Sequence, residues 1–515
     1  MIGRTLLAAA LCAALALPVL AEPQRGGTLR MVLDPEPASA IVALSGTGAT
    51  QIFASKIFEA LLTFDFDLNP QPWLAESWEA DADGLGYTFH LVKNAAWHDG
   101  KPFTSHDVLV SFDLQAELNP RLAVVRPRIA SIEAVDDHTV RFRFKQTIPG
   151  FLYLLHIGTL SMLPAHLYEG QVLRDNPANH APIGTGPFRL KEWVAGSHIH
   201  LVRNDSYRDG TRPYLDDIYF VLIPDPQGRA VAFEQGTVDV VSASNLEAFD
   251  IPRLAALPDV ETETRGWEIF SPHAHYWINT KRHGLDDPNL RRALTQAIDG
   301  EFVRDAIFNG YGTVPVGPIG SRTRFHDPDA KGASYDPDAA RAALAASSYD
   351  GRELTLIPAP VGSSFQRLAE YQVQAWREIG INVRIEAMDI GSAMQRQAER
   401  NYDMAQTYLY QHGDPSIGVT QIFYSGNDKA GSPWNNVSGY SNPEVDALMA
   451  EADGSTDPEH RARLYGQMQA MINADAPVGQ LIELDFPTLY HGHVRDLITG
   501  GTGLNDNFAG TWISK

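Results

Sequence analysis

From Glu353 to Asp389 the sequence runs ELTLIPAPVGSSFQRLAEYQVQAWREIGINVRIEAMD. Leu354, Leu356 and Pro358 open it as a strand. Phe365, Leu368, Trp376 and Ile379 recur at the spacing of one helical face, and Gly380 closes the helix. Ile381, Val383 and Ile385 then alternate with polar neighbours, the period of a strand half in the core. A strand, a crossing helix and a second strand within so short a stretch make a parallel pair, and the crossover is right-handed. The stretch therefore sets the class as α/β.

The flanks agree. Asp287-Pro288, Asp336-Pro337, Asn442-Pro443 and Asp457-Pro458 each place an acceptor at a helix N-cap with proline at the first helical position. Behind Asp287 come Leu290, Ala293, Leu294, Ala297 and Ile298 on one face. Behind Asp457 come Leu464, Met468, Met471 and Ile472, a stripe whose plain reading is core. Further upstream Tyr87, Phe89 and Leu91 alternate as a strand, and Asp99-Gly100 makes a turn. Thr104 to Asp107 reads as a capping box opening a helix through Val108, Leu109 and Phe112. Hairpins thus accompany the parallel unit.

The chain has 515 residues, a net charge of −22 and one cysteine. Met1 to Ala21 carries one arginine, an apolar run from Leu6 to Leu20 and small residues at its end. That is a secretory leader, and its run of about 15 residues falls short of the ~20 that span a bilayer. Cleavage after Ala21 removes Cys12, so the exported chain is held by its core without disulfides. Leu11 before Cys12 argues against a lipid anchor. The remaining length calls for more than one lobe, because single cores stop growing at ~250–300 residues. The acidic balance excludes nucleic acid and anionic lipid as partners. Phe151 to Leu163, interrupted by His156, reads as buried core rather than a span.

No nucleophile elbow, zinc-protease helix or phosphate loop is present, so no catalytic residue and no cofactor is assigned. Three His-x-His pairs (His198/His200, His273/His275 and His491/His493) place two imidazoles on one strand face each. The plainer reading is a polar strand face, and no metal is assigned. Tyr402, Tyr408, Tyr410, Phe423, Tyr424, Trp434 and Tyr440 gather around His412-Gly413-Asp414-Pro415. This stretch reads as a loop whose flat side chains and polar groups suit a small-molecule pocket, or as aromatic core beneath a long loop.

An ordered series of motifs carries a resemblance. It runs through Gly26-Gly27-Thr28-Leu29, Ile57 to Leu62, Pro72 to Trp78, Trp97-His98-Asp99-Gly100-Lys101-Pro102-Phe103, Ile183-Gly184-Thr185-Gly186-Pro187-Phe188, Gly236 to Val240, Leu290 to Leu294 and Asn442 to Asp446. The chain resembles the family 5 extracellular solute-binding proteins of ABC importers, which include dipeptide-, oligopeptide- and nickel-binding members. The resemblance implies an α/β, two-lobed periplasmic-binding-protein fold, class II-like, with an extra α+β domain inserted in the first lobe. It implies a signal peptide at 1–21, lobe I from 22–58, 181–270 and 486–515, the extra domain at 59–180, and lobe II at 271–485. It further implies a periplasmic monomer that closes by hinge motion on a ligand without changing it. That monomer then docks on permease subunits of the inner membrane, served by cytoplasmic ATPases.

Dipeptide-binding members carry a tryptophan where Tyr408 stands here, and an aspartate that pairs with the ligand amine where Gln411 stands. They also carry an arginine for the ligand carboxylate in the segment that runs here from Pro358 to Ser364, which has none. Losing one partner of a buried ion pair costs ~3–5 kcal/mol, so both expected anchors of a free dipeptide are missing. Longer peptides, held through backbone bonds, are the first expectation. Sugars or sugar conjugates stacked on Tyr408, Trp434 and Trp267 come second, and a metal chelate third. An exported hydrolase and a chaperone-like protein are the rivals outside the family. Expected ligand contacts are Tyr408, Gln411, His412, Asp414, Trp434 and Asn435, with Trp267 and Ser242 from the regions where the lobes cross.

Overall fold

The computed structural model describes residues 22–330, 332 and 334–514. The leader and Cys12 lie outside the described residues. Leu354–Ile357 and Val383–Ile385 are strands in parallel register, Leu354 opposite Val383, joined by the helix Gly362–Ile379. Gly380 ends that helix at φ +102, a left-handed conformation that side chains disfavour. All four Asx-Pro helix starts form. Asp287 accepts from the Asn289 amide, Asp336 from Asp338, Asn442 from Glu444 and Asp457 from Glu459. Leu464, Met468 and Ile472 are buried, as the stripe requires.

Those strands belong to a six-stranded sheet ordered Gly312–Thr313, Val478–Leu484, Pro272–Ile278, Met404–Tyr410, Leu354–Ile357, Val383–Ile385. Leu290, Leu294, Leu356, Trp376 and Ile482 form its core. Here the sequence reading needs correction. Residues 404–410, read as part of an aromatic loop, are a central strand of this sheet. Turn-forming residues at 411–415 drew the loop reading upstream, whereas pairing with strands on both sides decides the conformation.

A seven-stranded sheet is built around Thr28–Val32, which pairs in parallel with Asp217–Val221 and Val240–Ser242. Its core includes Leu29, Met31, Phe53, Ile199, Ile218 and Phe220. Between these segments the chain makes a four-stranded antiparallel sheet of Ala75–Ala80, Gly86–Leu91, Thr139–Phe144 and Ile129–Asp136. The helix Ser105–Ala116 packs on it through Val108 and Phe112. Its capping box forms, with the Thr104 amide donating to Asp107 Oδ2 at 2.8 Å. Residues 151–163 are largely buried, with His156 at 0 % exposure, and no described helix is long and apolar enough to cross a membrane.

Two of the sequence motifs turn out to lock one another. The His98 amide donates to the Gly184 carbonyl at 2.9 Å, and its ring nitrogens meet the Gly186 carbonyl at 2.9 Å and the Gly184 amide at 3.3 Å. A Cβ on Gly184 would sit 1.8 Å from the Ile57 carbonyl oxygen, so only glycine fits this joint. The Trp97–Phe103 segment is thus scaffold, joining the four-stranded sheet to the seven-stranded one.

The chain passes between the two large sheets twice, at residues 264–271 and 485–487. Further out, Ser363 donates to Glu247 at 2.7 Å and Asn309 to the Ala248 carbonyl at 2.9 Å, linking the two large sheets' layers. Thr147, just past the strand Thr139–Phe144, donates to the Asp453 carbonyl at 2.7 Å.

Candidate ligand-binding site

The strand Met404–Tyr410 points its end at both crossing segments. Tyr410 lies opposite Pro272 in the ladder, and beyond it the Gln411 amide donates to the Phe270 carbonyl at 2.8 Å. His412 and Gly413 then take φ +52 and +73, turning the chain sharply. A Cβ on Gly413 would meet Tyr153 at 2.7 Å, so the glycine permits both the turn and the approach of the inserted domain.

This geometry gathers rings from five separate stretches. Tyr408 stacks on Phe365 at 6.2 Å and meets Phe486 edge-on at 6.0 Å. Phe486 meets Trp267 at 5.1 Å, and Phe270 contacts Trp267, Tyr410 and His412 at 6.0, 5.6 and 6.1 Å. His156 of the inserted domain lies 6.0 Å from His412. Aromatic walls fed by all three layers, with few charges among them, suit a small organic ligand.

The expected contact residues divide. Tyr408, Trp267, Gln411, His412 and Asp414 come together here. Gln411 and Asp414, however, are engaged by the protein. The Gln411 amide donates to the Pro318 carbonyl at 2.8 Å and lies 3.0 Å from His273 Nδ1. Its oxygen accepts from the Gly320 amide at 2.9 Å and from Thr323 at 2.8 Å. Asp414 caps the helix Pro415–Gly418 and takes two bonds from Arg461, at 2.8 and 3.0 Å. Burial works against its charge, but Arg461 and Ser416 more than offset this and hold its carboxyl below the usual range.

Trp434, Asn435 and Ser242 take no part in the ring contacts, although the Ala243 amide beside Ser242 donates to the Pro487 carbonyl of the second crossing at 2.7 Å. Trp434 is exposed, its amide bonded to Ser432 at 3.3 Å, and the half-buried Asn435 accepts from the Val437 amide at 2.8 Å. Ser242 is buried in the seven-stranded sheet beside Ser244 at 3.0 Å. Reasoning from sequence did not single out Phe270, Phe365, Phe486 and His156 for this cluster. Tyr410 was visible as part of the aromatic cluster. The others lie far apart in the chain, and no local pattern sets them off from core residues.

The histidine pairs have local partners. His200 bonds Asp217 at 2.7 Å and stacks on Tyr219 at 4.0 Å. His491 reaches the Phe233 carbonyl at 2.9 Å, and His493 reaches Asp239 at 3.0 Å. His273 holds Gln411, and His275 lies edge-on to Trp277 at 4.4 Å. Among the described residues no group of three or more His, Cys, Asp or Glu side chains is arranged to hold a metal ion. A crevice of about 780 Å³ is lined by Trp73, Tyr207, Arg208, Asp506 and Phe508 among others, and by no residue of the crossing segments themselves.

Two large sheets with their own cores, two crossings between them and a ring-lined seam at the crossings define a two-lobed solute-binding protein. The chain belongs to the Bacterial extracellular solute-binding proteins, family 5 Middle, whose model matches residues 69–431. It is 28% identical over 479 residues to Heme-binding protein A of Haemophilus influenzae, covering 87% of this chain and 85% of that one. It is 27% identical over 508 residues to the probable D,D-dipeptide-binding periplasmic protein DdpA of Escherichia coli, covering 96% and 95%. Among solved structures it superposes with TM-score 0.81 on DppA from Helicobacter pylori in complex with the peptide STSA, at 25% identity over 96% of this chain and 99% of that one. These relatives are binding proteins.

Proposed function

We propose that this protein is an exported periplasmic carrier without enzymatic activity, which captures a peptide longer than a dipeptide and delivers it to an ABC permease. The observation that carries the ligand choice is the state of Gln411. Its amide is uncharged and consumed by Pro318, His273, Gly320 and Thr323, so no carboxylate waits at that position for a free amine. The ring cluster at the crossings favours contacts along a ligand's body. The peptide complex of the Helicobacter pylori relative supports the same choice.

Closure follows from position. Trp267 and Phe270 lie on one crossing, Phe486 on the other, Tyr408 and Tyr410 on the six-stranded sheet, and His156 in the inserted domain. A ligand that touches all of them binds the closed arrangement better than an open one, so it shifts the population toward closure. The permease then recognises the closed shape, and a separate ATPase supplies the energy.

Native mass spectrometry of protein purified from its own periplasm tests this reading. The expected result is a bound mass that fragments as a peptide of three or more residues. A glycan, a metal complex or a chemically altered product in its place would overturn it.

A further inference from the structure

Arg121 sits in the helix Pro120–Val125 of the inserted domain. Other interior arginines have partners: Arg208 has Glu59, Arg229 has Asp34 and Arg461 has Asp414, while Arg291 bonds three backbone carbonyls. Arg121 makes no ion pair with any described residue, and its buried Nε has no hydrogen-bond partner.

Its surroundings repeat the pattern. Asn119, two residues before it, donates to the Thr159 carbonyl at 3.1 Å, and the Thr159 hydroxyl lies 3.0 Å from His156 Nε2. The His156 ring is 6.0 Å from His412, which is 3% exposed and has both ring nitrogens buried without a partner. Buried polar atoms in native proteins are nearly always satisfied, so three such atoms in one neighbourhood mark a missing group. That group accepts hydrogen bonds, because a guanidinium offers only donors, and a negative charge on it supplies the counter-ion that Arg121 lacks.

We infer that the ligand is an acid whose carboxylate is held by Arg121 of the inserted domain and by one ring N–H of His412 from the six-stranded sheet's lobe. This deepens the reading above and rests on the ligand lying at the crossing segments. It also supplies, from a different domain, the cation that the segment 358–364 lacks. The second nitrogen of the neutral His412 ring points away from the carboxylate and accepts from a donor on a more distant part of the ligand. Burial, with the Arg121 charge behind it, keeps His412 far below its ordinary value and hence neutral. Burial brings Arg121 down only to about 10, so it stays charged at neutral pH. Because the two donors come from different domains, the carboxylate bridges them only in the closed form.

The test uses full-length exported protein as wild type, Arg121→Gln and Arg121→Lys. The compound that co-purifies is released by denaturation, treated with acidic methanol and read by mass spectrometry for esterified carboxyls. At least one carboxyl, and loss of the compound from Arg121→Gln with partial retention in Arg121→Lys, is the expected result. A compound without a carboxyl, or full occupancy in Arg121→Gln, overturns the inference. Arg121 has no partner to lose, so unliganded Arg121→Gln melts at or above the wild-type temperature, which separates lost binding from lost folding. Fragmentation distinguishes the sources of the acid. A sugar acid lost from Arg121→Gln sinks the peptide reading and leaves this inference standing; a neutral peptide does the reverse. If nothing co-purifies, calorimetric titration with trialanine, trialanine amide, glucuronate and glucose decides. At least a tenfold preference for acid over its neutral partner is expected, and equal or absent responses overturn the inference.

Discussion

Trp267 and Phe486, one on each segment that crosses between the large sheets, clasp one another. The Trp267 indole N–H donates to the Phe486 carbonyl at 2.9 Å, and the two rings meet edge-on at 5.1 Å. Phe486 also meets Tyr408 at 6.0 Å, so the clasp joins the two crossings to the strand that leads into the site. Movement at these crossings must carry these rings with it.

Trp267→Phe keeps the ring contact and loses the indole bond. The cost is about 1 kcal/mol of stability, the worth of one neutral hydrogen bond. Trp267→Ala removes both, and for a half-buried ring we expect about 2–3 kcal/mol, below the cost at a fully buried site. Urea midpoints at constant slope measure both. A ligand affinity that falls in Trp267→Ala and is largely kept in Trp267→Phe would place the ring in the binding surface.

Asp414 and Arg461 form a buried two-bond pair under the turn at His412 and Gly413. Arg461→Met leaves a buried carboxylate without its partner, and a loss of about 3–5 kcal/mol is expected. The double variant Asp414→Asn with Arg461→Met leaves no charge and should recover more than half of that loss. Chemical unfolding of the singles and the double gives the coupling; additive losses would show that the pair does not act as a unit.

Gly413→Ala places a Cβ 2.7 Å from Tyr153 at φ +73. Strain at this angle costs about 1 kcal/mol, and displacement of Tyr153 adds to it. Because Tyr153 belongs to the inserted domain, ligand affinity should fall along with stability. An affinity equal to wild type would show that this contact is not needed for closure.

Asp453 lies where the inserted domain meets the six-stranded sheet's lobe, 3.4 Å from Arg128. Burial raises its carboxyl to about 6; Arg128 and Arg461 pull it down and Asp414 pushes it up. A carboxyl raised on folding favours the folded state when protonated. Its stabilising effect is complete below 3.8, its unfolded value, and is lost as pH rises through about 6. Asp453→Asn should therefore match wild type near pH 3.5 and exceed it by on the order of 2–3 kcal/mol near pH 7.5. Paired unfolding curves at the two pH values check the sign; equal stability at both would contradict it.

Local patterns were legible where the physics is local. The Asx-Pro starts, the capping box at Thr104, the stop at Gly380 and the parallel unit from Leu354 to Ile385 depend on neighbours within a few residues, and all appear. The strand Met404–Tyr410 was missed because its partners, Pro272–Ile278 and Leu354–Ile357, are remote in the chain. Gln411 and Asp414, expected from the sequence as ligand contacts, lie beside the ring cluster and are bonded to the protein. Their hydrogen bonds could not be read, because the partners Pro318, Thr323, His273 and Arg461 come from three other segments.

The sequence by itself determined the α/β class, the helix boundaries and the ordered motifs that mark the family, since each rests on short-range periodicity, capping and backbone preference. Only the tertiary structure decided which polar groups are spent on the scaffold and which are left over. Satisfaction of a buried group depends on what the rest of the chain brings within about 3 Å. Arg121 and Gln411 look alike in the sequence as single polar residues, yet the fold surrounds one with four partners and leaves the other without a counter-ion.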